Sequence, residues 1–162
     1  MRKLSEGKSC IAVVRVRGNV GTSRELEEVF RQMHLTRKNH ATLIPSSPSN
    51  EGVLRKVKDY ATWGEASLET VTELLAKRGM LSGNRRITED YVKTSLGYES
   101  LVALANALHE TRVDLRNVKG VKPLFRLHPP SKGFRGSTKK PYPEGELGYR
   151  GEEINGLLTR MV

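Results

Sequence analysis

The first 66 residues alternate between strand-type and helix-type patterns, and this alternation constrains the fold more than any other feature. CIAVVRVR, from Cys10 to Arg17, is rich in Val and Ile and alternates at its end, which is typical of a strand. NHATLIP (Asn39 to Pro45) predicts a second strand and YATWG (Tyr60 to Gly64) a third. With two helices between them, the order β-α-β-α-β predicts a small α+β sandwich whose helices pack on one sheet face.

The first predicted helix begins at Thr22, because Glu25 three residues later has the spacing of a capping box. Its apolar residues recur at i, i+3, i+4 and i+7 and share one helix face. They are Leu26, Val29, Phe30 and Met33. The second helix follows the turn SSPSNEG and is predicted from Val53, Leu54 and Val57.

A run of helices is predicted after this core. The first extends from Leu68 to Arg78, with Ser67 as its N-cap and Gly79 as its C-terminal stop. A short helix is predicted from Thr88 to Ser95, and a more strongly patterned one from Glu99 to His109.

The C-terminal segment has an unusual composition. Phe125 to Gly151 contains nine glycines and prolines and hardly an aliphatic residue, apart from a short edge strand predicted at LFRL. Such a segment cannot build a core, so we expect it to be mobile in the free protein and ordered by a partner. An amphipathic helix is predicted from Ile154 to Met161. The expected organisation is a core at 1–66, a helical insert at 67–120 and a basic extended segment at 121–162, in one structural unit.

The charge of the chain indicates a polyanionic partner. Lys and Arg exceed Asp and Glu by ten, and the isoelectric point is near 9.9. The net charge is +5 over residues 1–66, +1 over 67–120 and +4 over 121–162. Cations that neutralise phosphates release condensed counterions, so this excess favours nucleic acid held by both ends of the chain.

Nothing in the sequence predicts an enzyme. No phosphate-loop or dinucleotide signature is present. The histidines have no metal-ligand spacing to one another or to Cys10, so neither a metal nor a cofactor is predicted. The single cysteine suits a reducing compartment, and no apolar run has the length of a membrane span. We expect a cytoplasmic protein without membrane contact.

The candidate RNA contacts are cations and the aromatic residues between them. Lys and Arg contact phosphates, while aromatic and guanidinium planes stack on exposed bases. The predicted contacts from the core are Arg15, Arg17, Arg37, Lys38 and His40. From the C-terminal segment they are Lys132, Arg135, Lys139, Lys140 and Arg150, with Phe134, Tyr142 and Tyr149 against sugars or bases.

Several motifs resemble one ribosomal family. NHATLIP, YATWGE, RLHPPSKGFRG and GYRGEEIN are similar to the archaeal form of the large-subunit ribosomal protein known in bacteria as L-thirty, whose eukaryotic relative is called L-seven. The similarity covers almost the whole chain. Bacterial members end about where Glu65 falls, so residues 67–162 resemble the archaeal and eukaryotic addition.

This resemblance implies a ferredoxin-like β-α-β-α-β core on a three-stranded antiparallel sheet, in a non-enzymatic structural protein of the cytoplasmic ribosome. The implied partners are large-subunit ribosomal RNA and neighbouring ribosomal proteins, with 5S ribosomal RNA as a further candidate.

Two alternatives from other classes stay open. In the first, helices at 67–109 form a helix-turn-helix of a DNA-binding regulator. However, TEDYVKTSL offers only Lys93 as a basic side chain, which is few for a recognition helix. The second alternative is a small enzyme with an unrecognised site.

Overall fold

The computed structural model describes residues 9–162 of the chain. Its strands are β1 (Cys10–Arg15), β2 (His40–Pro45), β3 (Ala61–Glu65), β4 (Phe125–Arg126), β5 (Ser137–Pro141) and β6 (Gly145–Tyr149). Its α-helices are α1 (Arg24–Gln32), α2 (Pro48–Val57), α3 (Leu68–Arg78), α4 (Glu89–Tyr91), α5 (Leu101–His109) and α6 (Glu153–Met161). A π-helical turn at Val92–Leu96 continues α4, and a 3-10 turn at Leu115–Asn117 follows α5.

The six strands form one mixed sheet in the order β4-β2-β1-β3-β6-β5. β1 lies antiparallel between β2 and β3, as predicted for the α+β core. The predicted three-stranded sheet is too small, however. β4 adds antiparallel to β2, while β6 and β5 add in parallel beyond β3. Edge strands carry unpaired amides and carbonyls, and the C-terminal segment covers both edges of the central three strands.

Helices cover the central sheet from both sides, so β1 is buried on both faces. Ile11 and Val13 pack with apolar residues of α1 and α2. Ala12 and Val14 pack on the opposite face with apolar residues of α3, α5 and α6. A strand between two helix layers needs apolar residues on both faces, which accounts for the continuous run CIAVV. The predicted single helix layer holds for α1 and α2, and the second layer consists of α3 and α5 of the helical insert together with α6 of the C-terminal segment.

Helices α1 to α5 each begin at a hydroxyl side chain that accepts a hydrogen bond from a backbone amide. The predicted cap Ser67 is confirmed, since its Oγ accepts from the amide of Thr70. The cap of α1 is Ser23, whose Oγ accepts from Leu26, and the prediction of Thr22 is wrong by one residue. Both types can cap a helix, so spacing alone did not separate these neighbours.

The C-terminal segment forms part of the fold, and the prediction that it cannot bury itself is wrong. Phe125, Leu127 and Leu147 are all buried, Phe125 completely. Beyond the end of β6, the amide of Arg150 donates to the carbonyl of Trp63 in β3 at 2.9 Å. The few apolar residues of the segment lie where it crosses the core, and the Pro/Gly-rich remainder connects these crossings.

Candidate nucleic-acid interface

Predicted contacts from the core meet at one end of the sheet. β1 ends there and β2 begins there, and the amide of Asn39 donates to the carbonyl of Arg15 at 2.8 Å. β4 follows on the other side of β2, where Arg126 pairs in register with His40. We name the surface cations of this region the basic sheet end, which consists of Arg17, Arg37, Lys38 and Arg126.

Arg15 is a buried structural residue, and its predicted RNA contact needs correction. Only 1% of its surface is exposed, and its guanidinium lies 4.0 Å from the centroid of the Phe30 ring. Its Nη1 donates to the carbonyl of Leu35 at 2.8 Å, and its Nε donates to the carbonyl of Arg17 at 3.0 Å. Burial lowers the pKa of Arg15, and the charge of Glu27 opposes that shift. This side chain therefore ties the loop after α1 to β1.

Arg17 lies at the surface, just beyond the end of β1. Its guanidinium lies 4.8 Å from the centroid of the Tyr60 ring, and its Nη1 donates to the carbonyl of Asp59 at 3.0 Å. A guanidinium has five N–H donors, so those that remain can still contact a phosphate. Both Arg15 and Arg17 are predicted RNA contacts, but only Arg17 reaches the surface because β1 ends between them.

His40 is half-buried beside three arginines. Burial lowers the pKa of His40, and the charges of Arg126, Arg37 and Arg15 lower it further. Its imidazole is therefore neutral near pH 7 and brings no positive charge to a phosphate. The cationic contact predicted for His40 needs correction to that of a neutral side chain.

The exposed cations of the basic sheet end lie around His40. Arg37 and Lys38 are exposed in the loop before β2, as a phosphate contact requires. Arg126 is also exposed, and the sequence pattern did not indicate it. Its pairing with His40 joins residues far apart in the chain, and nothing local in RLHPP predicts that pairing.

Four cations of the C-terminal segment are exposed on or near the outer strand β5. We name this set the C-terminal basic edge, and it consists of Lys132, Arg135, Lys139 and Lys140. Lys140 forms a long ion pair with Glu144, at 3.8 Å. Lysines on an outer strand also hinder pairing with a further strand, so the same side chains keep this edge open.

Arg150 is buried, and its predicted RNA contact needs correction. Its Nε donates to Oγ1 of Thr62 at 2.8 Å, and its Nη2 donates to Oε2 of Glu146 at 2.6 Å. Burial alone would raise the pKa of Glu146, but hydrogen bonds from Arg150 and from the amide of Gly136 outweigh it, and the pKa is lowered. The hydrogen bond to Thr62 fixes the end of β6 against β3, and the ion pair with Glu146 holds the guanidinium in its buried position.

Two of the aromatic residues pack largely on the protein itself. Tyr149 is half-buried against the core on the α1/α2 side, and its hydroxyl donates to the Glu65 carboxylate at 2.7 Å. Phe134 is half-buried against the core on the opposite face. Tyr142 is 38% exposed, and this third aromatic residue offers the most surface for stacking.

Residues 9–162 contain no group of three or more His, Cys, Asp or Glu placed to hold a metal ion. Over the same residues, no helix is long and apolar enough to cross a membrane.

Comparison with known proteins decides the family. A family model described as "Ribosomal protein L30p/L7e" matches residues 11–61, from β1 to the first residue of β3. "Large ribosomal subunit protein uL30" of Methanosphaera stadtmanae is 47% identical over 152 residues, which cover 93% of this chain and 99% of the relative. The chain belongs to the ribosomal protein L30p/L7e family. This confirms the resemblance carried by the sequence motifs.

The similarity extends well beyond the region that the family model matches. A relative of the same name from Archaeoglobus fulgidus is 46% identical over 150 residues, covering 93% of this chain and 98% of its own. Another from Methanopyrus kandleri is 47% identical over 149 residues, covering 91% and 100%. The regions that match these relatives therefore include the helical insert and the C-terminal segment as well.

The comparisons do not favour a DNA-binding regulator. In the proposed helix-turn-helix, the middle helix would have to present side chains to a groove. The structure has only the short α4 (Glu89–Tyr91) and a π-helical turn at this position. The long helices on either side, α3 and α5, direct apolar faces into the core.

Proposed function

We propose that this protein is a structural constituent of the large subunit of the cytoplasmic ribosome, where it binds and stabilises ribosomal RNA without catalysing a reaction. The observation that carries this proposal is the similarity to archaeal relatives named "Large ribosomal subunit protein uL30" over more than nine-tenths of the chain. The net charge of +10 supports an RNA partner.

The two proposed RNA contacts are the basic sheet end and the C-terminal basic edge. Both consist of cations at the surface of the folded chain, where their N–H groups can meet phosphates. Within this proposal, Arg15 and Arg150 stabilise the folded chain, while Phe134 and Tyr149 pack against opposite faces of the core. Neighbouring ribosomal proteins are proposed to contact the exposed side of the insert, whose net charge is only +1.

Co-sedimentation tests the function. The full chain, mixed with large subunits stripped of their own copy, should sediment with them at low salt and leave the pellet at high salt. Titration of the full chain against large-subunit RNA, 5S RNA and a DNA duplex distinguishes these partners. 5S RNA is a further candidate partner. Failure to enter large subunits, or preference for the DNA duplex, would overturn the proposal.

A further inference from the structure

A groove of about 720 Å³ lies on the α1/α2 side of the sheet, between the end of α2 and the strands β5 and β6. Trp63 and Tyr149 are neighbours in register across β3 and β6, and both pack with the core of that side. Volumes of roughly 300–1,000 Å³ are usual for small-ligand sites. Its floor, walls and rim include Trp63, Leu147, Tyr142, Tyr149, Lys58 and Lys139.

The walls of this groove are held in place by internal contacts. The guanidinium of Arg150 lies 5.3 Å from the centroid of the Tyr142 ring, so one ring face is supported from within the protein. The buried Glu146 holds this guanidinium in turn. Tyr149 donates its hydroxyl to Glu65. A rigid wall loses little conformational freedom when a ligand binds, which favours recognition of a flat group.

The rim of the groove is suited to an anion. Lys58 and Lys139 are both exposed, and neither forms an ion pair within residues 9–162. Asp59 is the acidic residue that also lines the groove. Arg17 of the basic sheet end donates to the carbonyl of Asp59, so the groove opens beside the proposed RNA surface.

The occupant must therefore combine a flat, apolar group with negative charge. Aromatic rings and prolines can also bind a proline-rich peptide. Such a peptide would make no use of two unpaired lysines, whereas an unstacked nucleotide uses both features. Stacking of a base on an aromatic ring tolerates any sequence because every base has a π face.

We propose that this groove binds one unstacked nucleotide of ribosomal RNA, with its base against the Tyr142 ring and its phosphate near Lys58 and Lys139. The proposal rests on the RNA-binding function proposed above. It adds a base-binding site to surfaces that otherwise contact only the RNA backbone.

Ultraviolet crosslinking in large subunits that contain the full chain tests the site. Mass spectrometry should find a nucleotide adduct on the peptide that carries Tyr142. Tyr142→Leu should abolish that adduct and weaken binding to the ribosomal RNA by about five- to a hundredfold, the usual effect of removing one stacking platform. Tyr98→Leu removes a half-buried tyrosine of the insert and should leave both readouts unchanged.

A second pair of variants tests the rim independently of the aromatic wall. Lys58→Gln with Lys139→Gln should reduce the salt slope of RNA binding by up to about 1.4, at ~0.7 for each single-stranded phosphate that is neutralised. Lys93→Gln with Lys119→Gln removes equal charge from the insert and should not change it.

Three results would overturn the site: no nucleotide adduct in the unaltered protein, an adduct that survives Tyr142→Leu, or a protein crosslink in place of RNA. In each case, continued co-sedimentation of the unaltered protein with large subunits would leave the proposed function intact. Loss of co-sedimentation would refute the function itself.

Discussion

At the residue scale, the number of Lys and Arg residues does not tell which of them are available to RNA. Residue type does not distinguish Arg15 and Arg150 from Arg37, yet the first two are buried. A buried ion requires hydrogen bonds that replace its hydration. Arg15 donates to two backbone carbonyls and lies over the Phe30 ring, and Arg150 donates to Glu146 and Thr62. Part of the basic composition therefore stabilises the protein, and the remainder is available to RNA.

The ion pair between Arg150 and Glu146 can be tested by removing one partner. Arg150→Ala leaves the Glu146 carboxylate buried and unpaired, so we expect the free energy of unfolding to fall by about 3–5 kcal/mol in urea denaturation. The control is Arg135→Ala, which removes an exposed arginine of the same segment and should change stability by no more than about 0.5 kcal/mol. Equal decreases in the two variants would contradict the structural role of Arg150.

The stability of the folded protein should depend on pH through His40. The pKa of His40 in the folded protein lies below its ordinary value of 6.5, because of burial and the nearby arginines. Between 6.5 and the lower folded-state pKa, the unfolded chain binds a proton that the folded protein does not. The contribution of neutral His40 to stability is therefore complete above pH 6.5 and decreases as pH falls below it.

Denaturation of the unaltered protein and of His40→Gln over a range of pH measures this contribution. The difference in unfolding free energy between the two should be constant above pH 6.5 and change below it. His128→Gln removes an exposed histidine and serves as the control. A difference that is independent of pH throughout would refute the prediction for His40.

At the element scale, the turn after β6 accounts for the glycine in the motif YATWGE. Gly64 lies in β3, and the backbone of Gly151 passes directly beside it. A β-carbon at position 64 would overlap the carbonyl oxygen of Gly151. Close approach of two backbones is a common reason for glycine within a strand. The motifs YATWGE and GYRGEEIN thus contact each other through Gly64 and Gly151.

Gly64→Ala should push the backbones at positions 64 and 151 apart. We expect it to lower the free energy of unfolding by about 1–3 kcal/mol, as measured in urea, because the added methyl group forces the backbones apart. Gly52→Ala is the matched control, since Gly52 lies in α2 with open space around its α-carbon. The control should be neutral or stabilising by up to about 1 kcal/mol. Similar destabilisation in both variants would contradict the close-contact explanation.

The strands β5 and β6 should differ in hydrogen exchange. β6 lies inside the sheet and begins with three buried residues, whereas β5 is the outer strand and is mostly exposed. An amide exchanges faster when a local opening exposes it to solvent than when its exposure requires wider unfolding. We expect faster exchange in β5 for the free protein and added protection there when RNA binds. Equal exchange rates in β5 and β6 would contradict the prediction that β5 opens more readily than β6.

At the scale of the whole molecule, RNA affinity should depend on where charge is removed and not on how much. Substituting Gln for the C-terminal basic edge (Lys132, Arg135, Lys139 and Lys140) should flatten the salt slope of RNA binding by up to about 3–4, at ~0.9 for each phosphate that is no longer neutralised. The control substitutes the exposed cations Arg85, Arg86, Lys93 and Lys119 of the insert. A slope that responds equally to both sets would show that net charge alone controls binding.

Local patterns in the sequence determined most elements of this protein. The residue pattern predicted strands β1 to β3, the two helices between them and helices of the insert. Short motifs indicated the family. The tertiary structure alone decided which cations are buried and which edges of the sheet are covered. For example, Thr62 of β3 donates to the carbonyl of Gly148 across 86 positions of the chain. Periodicity reports the faces of one element, whereas burial depends on which distant segment packs against it, and no local pattern contains that information.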